Sequence, residues 1–89
     1  MRTYLTEKVE MDGSGKGASG WFTLSEATVY FDHPVHAPAE HTLNIDLLNP
    51  GRGPSSRVAV ELDPVSARAL ADAILATLDG VPAPLRPGG

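Results

Sequence analysis

Residues 63–80 read DPVSARALADAILATLDG, and both ends of this stretch carry helix signals. Asp63 is a good N-cap, Pro64 suits the first helical position, and Gly80 supplies a stop. Between them, apolar side chains recur at three- and four-residue spacing: Ala67, Leu70, Ala71, Ile74 and Leu78. This pattern predicts an amphipathic helix over Pro64–Asp79 whose apolar stripe covers one face of a sheet.

Upstream of the helix, hydrophobic residues alternate with polar ones, as is typical of half-buried strands. The predicted strands are residues 3–11, 21–24, 27–33, 41–48 and 57–62. The inward positions change from even to odd numbers around Ser25 and Glu26, so we expect a turn or a bulge there. In the first strand, Glu7 is the one charged residue that points inward. The predicted fold class is α+β: a small antiparallel sheet of four to five strands, covered on one face by a single C-terminal α-helix.

Glycine and proline mark the connections between these elements. Residues 12–20, DGSGKGASG, predict a flexible connection, and residues 49–54, NPGRGP, predict a turn. Residues 81–89 carry three prolines and end on two glycines, which favours disorder. We therefore expect one α+β domain over residues 1–80, followed by a disordered Pro/Gly-rich tail over residues 81–89.

The composition excludes several classes of function. The 89 residues include no cysteine, which rules out disulfides, thiolate metal sites and a cysteine nucleophile. A net charge of −4 and seven scattered basic residues argue against nucleic acid as a partner. No apolar run is long enough to span a bilayer, and the N-terminus lacks a signal-peptide core, so we expect a cytoplasmic protein without a membrane partner.

All three histidines lie within nine residues, as His33, His36 and His41. By strand parity, His33 and His41 both continue inward-facing series. If their strands form a hairpin, the two side chains stand opposite each other, with Cβ atoms roughly 5 Å apart. His36 lies on the connecting loop and can fold back over the pair. Glu40 and Asp32 point to the opposite face if both strands stay regular, which makes them weaker candidates.

This cluster supports three hypotheses that the sequence leaves open. In the first, His33, His36 and His41, with Glu40, Asp32 or water, bind a divalent metal, zinc or iron above all, in a metal-binding protein or metalloenzyme. In the second, the histidines are acid/base groups of a metal-free enzyme or ligand-binding domain, and Lys16 and Trp21 close over a small-molecule ligand. For Trp21, packing in the core is the favoured alternative. In the third, the protein is a non-catalytic interaction module that dimerises or docks by a sheet edge.

A homodimer is expected on physical grounds. A domain this small is marginally stable alone and gains from a partner subunit. By parity, Tyr4, Tyr30 and Leu48 lie on the sheet face opposite the helix, and two-fold pairing of that face would bury them.

The runs GSGKGASGWF (residues 13–22) and VYFDHPVHAPAEHTLNID (residues 29–46) resemble a family of short actinobacterial proteins known only as a domain of unknown function. The similarity covers nearly the whole chain except the tail. It implies a single-domain bacterial protein, and it implies no activity.

Overall fold

The chain folds into one antiparallel sheet followed by one long helix. A computed structural model describes residues 5–32, 41–82 and 85. The strands are β1 (Leu5–Gly17), β2 (Gly20–Asp32), β3 (Thr42–Leu48) and β4 (Arg57–Leu62), and the helix is α1 (Pro64–Gly80). A single 3₁₀ turn, Pro50–Arg52, lies in the β3–β4 connection. The strand order β1-β2-β3-β4, with every neighbouring pair antiparallel, confirms the predicted α+β class.

The glycine-rich run is part of the sheet. The expected flexible connection over residues 12–20 is wrong, because β1 and β2 extend through it and leave only Ala18 and Ser19 as a turn. Gly20 follows that turn with φ of 110°, a backbone conformation that favours glycine. A Cβ on Gly15 would lie 3.3 Å from Leu24 Cδ2, so the glycines let this hairpin pack closely on its own side chains.

A β-bulge changes the register of the long hairpin. Glu10 pairs with Glu26 and Gly13 with Leu24, so two residues of β1 lie opposite one residue of β2, Ser25. The irregularity expected at Ser25–Glu26 is therefore confirmed, but the extra residue belongs to β1. Strand β2 runs unbroken, so the two separate strands predicted over residues 21–33 are one element.

The hydrophobic core is small. In the described part of the chain, the buried apolar side chains are Phe22, Leu24 and Ala27. The turn end of the β1–β2 hairpin approaches the start of β4, where a Cβ on Gly17 would lie 3.4 Å from the Arg57 carbonyl oxygen. The Asn49 side-chain amide donates a hydrogen bond of 2.9 Å to the carbonyl of Thr23 and holds the hairpin there.

The helix begins as predicted and packs less than predicted. The Ser66 backbone N–H donates a 2.7 Å hydrogen bond to Asp63 Oδ1, which confirms the N-cap. The helix contacts mainly β3 and β4, yet Leu70, Ile74, Leu75 and Leu78 stay 44–60% exposed. The expected covering of the sheet face by this helix is therefore not confirmed. In the described residues, no helix is long and apolar enough to cross a membrane.

Candidate functional site

An open apolar groove lies between the sheet and the helix. Its cavity has a volume of about 460 Å³, which is within the usual range of ligand pockets. The sheet side is formed by residues of β2, β3 and β4 that share one face: Val29, Phe31, Leu43, Ile45 and Leu62. These are the inward-facing positions that the alternating sequence pattern predicts. Each of the five is only half-buried, because nothing in the described chain fills the space above them.

The helix forms the second wall of this apolar groove. The lining residues on this side are Pro64, Ala67, Arg68, Leu70, Ala71 and Ile74. Apart from Arg68, all are apolar, and they include most of the stripe read from the sequence. Beyond Ile74 the stripe continues over a shallower hollow at Leu78. The amphipathic pattern is thus correct, but its apolar face borders open space.

His41 lies at the end of the groove nearest the β2–β3 connection. Its imidazole stacks on the phenyl ring of Phe31, with ring centroids 5.8 Å apart and planes inclined by 11°. Since Phe31 lines the groove, this stacking puts His41 on the groove side of the sheet. That side is the one predicted from strand parity.

The other predicted metal ligands, His33, His36 and Glu40, lie outside the described residues. The β2–β3 register is observed as far as the pair Asp32↔Thr42, and it is the register that the hairpin hypothesis requires. Within residues 5–32, 41–82 and 85, no group of three or more His, Asp or Glu side chains is placed to hold a metal ion. The predicted site stays a prediction.

Polar side chains cluster on the opposite face of the sheet. Asp32, Thr42 and Asn44 are 0–4% exposed. The Thr42 hydroxyl donates a 2.9 Å hydrogen bond to Asn44 Oδ1, and Asn44 Nδ2 donates one of 3.3 Å to the Thr42 carbonyl. No buried side-chain polar atom of the described residues lacks a partner. Thr42 and Asn44 thus satisfy each other's hydrogen bonds, which is typical of a structural role.

Further along the same face, Tyr30, Asp46 and Arg57 link three strands. Arg57 Nη2 lies 2.7 Å from Asp46 Oδ1, and the two side chains form an ion pair between β4 and β3. Burial raises the pKa of Tyr30, and the charge of Asp46 and its hydrogen bond to the phenol raise it further. Tyr30 and Leu48, which the sequence placed in a dimer interface, are both half-buried on this face.

Lys16 and Trp21 occupy the end of the β1–β2 hairpin. They are directly paired across the strands, as the hypothesis of a shared ligand requires, and both are exposed. Trp21 is 70% exposed, so the alternative of core packing for this residue is wrong. A ligand-binding role for the pair stays a prediction.

Two features escaped the sequence reasoning. The buried polar cluster around Asn44 was not predicted. A signal for it exists, since polar side chains occupy every even position from Thr28 to Asp32 and from Thr42 to Asp46. The sequence contains no local signal for the open groove. An amphipathic pattern shows that a helix needs an apolar partner surface, but it does not identify that surface.

Comparison with known proteins gives a family and no function. No curated protein and no solved structure matches the chain. A family model described as a family of unknown function, DUF6295, matches residues 1–87. That match spans the sheet, the helix and the histidine cluster together, and it agrees with the resemblance seen in residues 13–22 and 29–46. The chain therefore belongs to DUF6295.

Proposed function

We propose that this protein is a homodimeric interaction module whose two copies meet at the apolar groove. The observation that carries the proposal is the exposure of the helix stripe: Leu70, Ile74, Leu75 and Leu78 are large apolar side chains left 44–60% exposed beside an equally apolar sheet face. Contiguous apolar surface of this kind marks an interaction site in a folded protein.

The small core supports the same proposal. Three buried apolar side chains in the described chain are few for a domain of this length. A second copy supplies what is missing, because its own helix carries the same unsatisfied stripe. The proposed interface therefore lies on the groove side of the sheet, since the opposite face is occupied by the hydrogen-bonded polar residues described above.

Oligomeric mass tests this proposal directly. We expect light scattering at tens of micromolar protein to give twice the chain mass of 9.4 kDa. Leu78→Asp places a charge in the stripe and should give a monomer that still shows the helical circular dichroism of the wild type. Ala76→Asp adds the same charge on the far side of the helix and should stay dimeric. A monomeric wild type, or a dimeric Leu78→Asp variant, would refute the proposal.

A second candidate function is divalent metal binding by His33, His36 and His41. The β2–β3 register favours it: the observed pairs end at Asp32↔Thr42, and one further step in the same register would join positions 33 and 41. His41 also lies on the groove side of the sheet, where its ring is held by Phe31. Glu40 or water would complete the ligand set, and zinc and iron suit imidazole ligands best.

Elemental analysis of untagged protein tests the metal. We expect one divalent ion per chain and a higher melting temperature when it is bound, because the ion binds only the native state. Affinity should fall below about pH 6.5, since neutral imidazole is the ligand form. His41→Ala should remove both the metal and the thermal shift, while Lys16→Ala, at the far end of the hairpin, keeps them. Wild-type protein that stays metal-free in added zinc and iron would exclude this function.

A further inference from the structure

We infer that two copies of this chain pack their helices antiparallel, with Arg68 of each copy opposite Asp79 of the other. The inference rests on the proposed homodimer and adds the relative orientation of its two helices. It starts from the charges beside the apolar stripe, which are arranged unevenly along the helix.

Arg68, Leu75 and Asp79 lie along one flank of the helix. They are seven and eleven residues apart, which is close to two and three whole turns. Arg68 and Asp79 are separated by roughly 16 Å along the axis, too far for an ion pair within one helix. Neither forms an ion pair with any other described residue. Each of these charges is therefore available to a second copy.

The orientation of the pair follows from the signs of these charges. In a parallel two-fold pair, opposite flanks of the two helices meet. The flank of Arg68 and Asp79 would then face the flank of Ala73 and Thr77, which carries no charge, and both charges would lack a partner. In an antiparallel pair related by a two-fold axis, the same flanks meet with their order reversed. Arg68 then faces Asp79 twice, once at each end of the interface.

The apolar stripe and the two charges place the two-fold axis at the same point along the helix. An axis that pairs position 68 with position 79 passes between Ala73 and Ile74. The exposed apolar row runs from Leu70 to Leu78, and its midpoint is Ile74. The charges and the apolar side chains thus define one two-fold axis independently, as expected of a self-complementary surface.

The helix surface alone is too small for a stable interface, so the groove must contribute to it. Half the surface of a 17-residue helix is on the order of 400 Å², whereas a stable interface takes about 800 Å² from each partner. The remaining area comes from the sheet side of the groove, whose row from Val29 to Leu62 is half-buried. The second helix therefore lies in the groove, against both the first helix and the sheet.

Charge reversal tests the pairing. We expect Arg68→Glu and Asp79→Arg each to weaken dimerisation about 10-fold in sedimentation equilibrium, because each creates two like-charge contacts. The double variant Arg68→Glu/Asp79→Arg should recover the wild-type affinity. Lys16→Glu, on the hairpin, changes the net charge by the same amount as Arg68→Glu and should have no effect. If the wild type dimerises and the single variants match it, this arrangement is wrong and the homodimer stands; a monomeric wild type overturns both.

Spin-label distances give a second, independent readout. The chain has no cysteine, so single labels can be placed at Val65→Cys and at Ala76→Cys, both on the far side of the helix. In the antiparallel pair, the two copies of position 65 are about 25 Å apart along the axis and those of position 76 about 8 Å. A parallel pair would give equal separations at both positions and would overturn the inference.

Discussion

The start of the helix depends on one exposed carboxylate. Asp63 accepts hydrogen bonds from the Ser66 backbone N–H at 2.7 Å and from the Ser66 hydroxyl at 3.0 Å. The backbone hydrogen bond, followed by that of the hydroxyl, lowers the pKa of Asp63 below its usual value near 3.9. The stabilisation is therefore complete above about pH 4 and is lost as the pH falls through the lowered pKa.

We expect Asp63→Ala to lower both the melting temperature and the helical signal in circular dichroism at neutral pH, because the N-cap is lost. Asp63→Asn keeps a capping oxygen without the charge. It should retain most of the helix and lose the part of the acid dependence that comes from this residue. Asp72→Ala, in the middle of the helix, is the control and should not lower stability. Equal melting temperatures for Asp63→Ala and the wild type would contradict the assigned cap.

The titration of Tyr30 reports on two of its charged neighbours, Asp46 and Arg57. Burial raises its pKa, the Asp46 charge and hydrogen bond raise it further, and the charge of Arg57 lowers it. We expect Asp46→Asn to move the alkaline rise of tyrosinate absorbance to lower pH and Arg57→Gln to move it to higher pH. Tyr30→Phe, which leaves Tyr4 as the one tyrosine, identifies the transition that belongs to residue 30. Shifts in the same direction for both charge variants would disprove this linkage.

In the folded state, the raised pKa of Tyr30 has a consequence for stability. The stabilisation is present below about pH 10 and is lost as the pH rises through the raised pKa, because the native state holds the phenolic proton more tightly than the unfolded chain does. Tyr30→Phe should therefore show a smaller loss of stability at alkaline pH than the wild type.

Among the elements, the β1–β2 hairpin depends most on glycine. A Cβ at Gly17 would lie 3.1 Å from the Phe22 ring and 3.4–3.5 Å from the carbonyl oxygens of Arg57 and Ser55. Gly17→Val should therefore lower the free energy of unfolding by about 1–3 kcal/mol, measured by urea denaturation. Gly13 has no atom within 4 Å of a Cβ, and Gly13→Val should be neutral or stabilising because valine favours strands. An equal effect of the two substitutions would show that close packing at Gly17 is unimportant.

Elements with strong local signals could be predicted closely. Strand β4 matches its predicted bounds, and the helix ends one residue later than expected, because a capping aspartate and a proline act within a few residues of themselves. The prediction of a flexible connection in the glycine-rich run was wrong because glycine has little conformational preference of its own. Its strand conformation comes from pairing with β2, whose Phe22 and Leu24 are buried.

At the scale of the whole molecule, the chain is more extended than a compact domain of its length. The radius of gyration is 14.7 Å, against about 12 Å for a compact chain of 89 residues. The difference agrees with a helix that lies beside an open groove. The sequence predicted an apolar partner surface for this helix, but whether that surface belongs to the same chain depends on contacts that no local pattern encodes.

A homodimer has a stability that depends on its own concentration. We expect the melting temperature to rise with protein concentration, since each tenfold increase stabilises a dimer by about 1.4 kcal/mol relative to two unfolded chains. Differential scanning calorimetry over two decades of concentration measures this shift. The Leu78→Asp variant should melt at a temperature that is independent of concentration. A concentration-independent wild type would argue for a monomer.

Glu7 places a charge on the apolar face of an edge strand. Strand β1 is at the edge of the sheet and runs for 13 residues, with Glu7 paired to Val29 between Leu5 and Val9 on the apolar face. A long, flat, apolar edge invites further strands to add to it, and an inward-pointing charge makes such addition costly. Without this carboxylate, Leu5 and Val9, which are 72% and 48% exposed, would form a continuous exposed apolar row along the edge strand. We therefore expect the one charge that disturbs the alternating pattern to oppose edge-to-edge addition of strands and fibril formation.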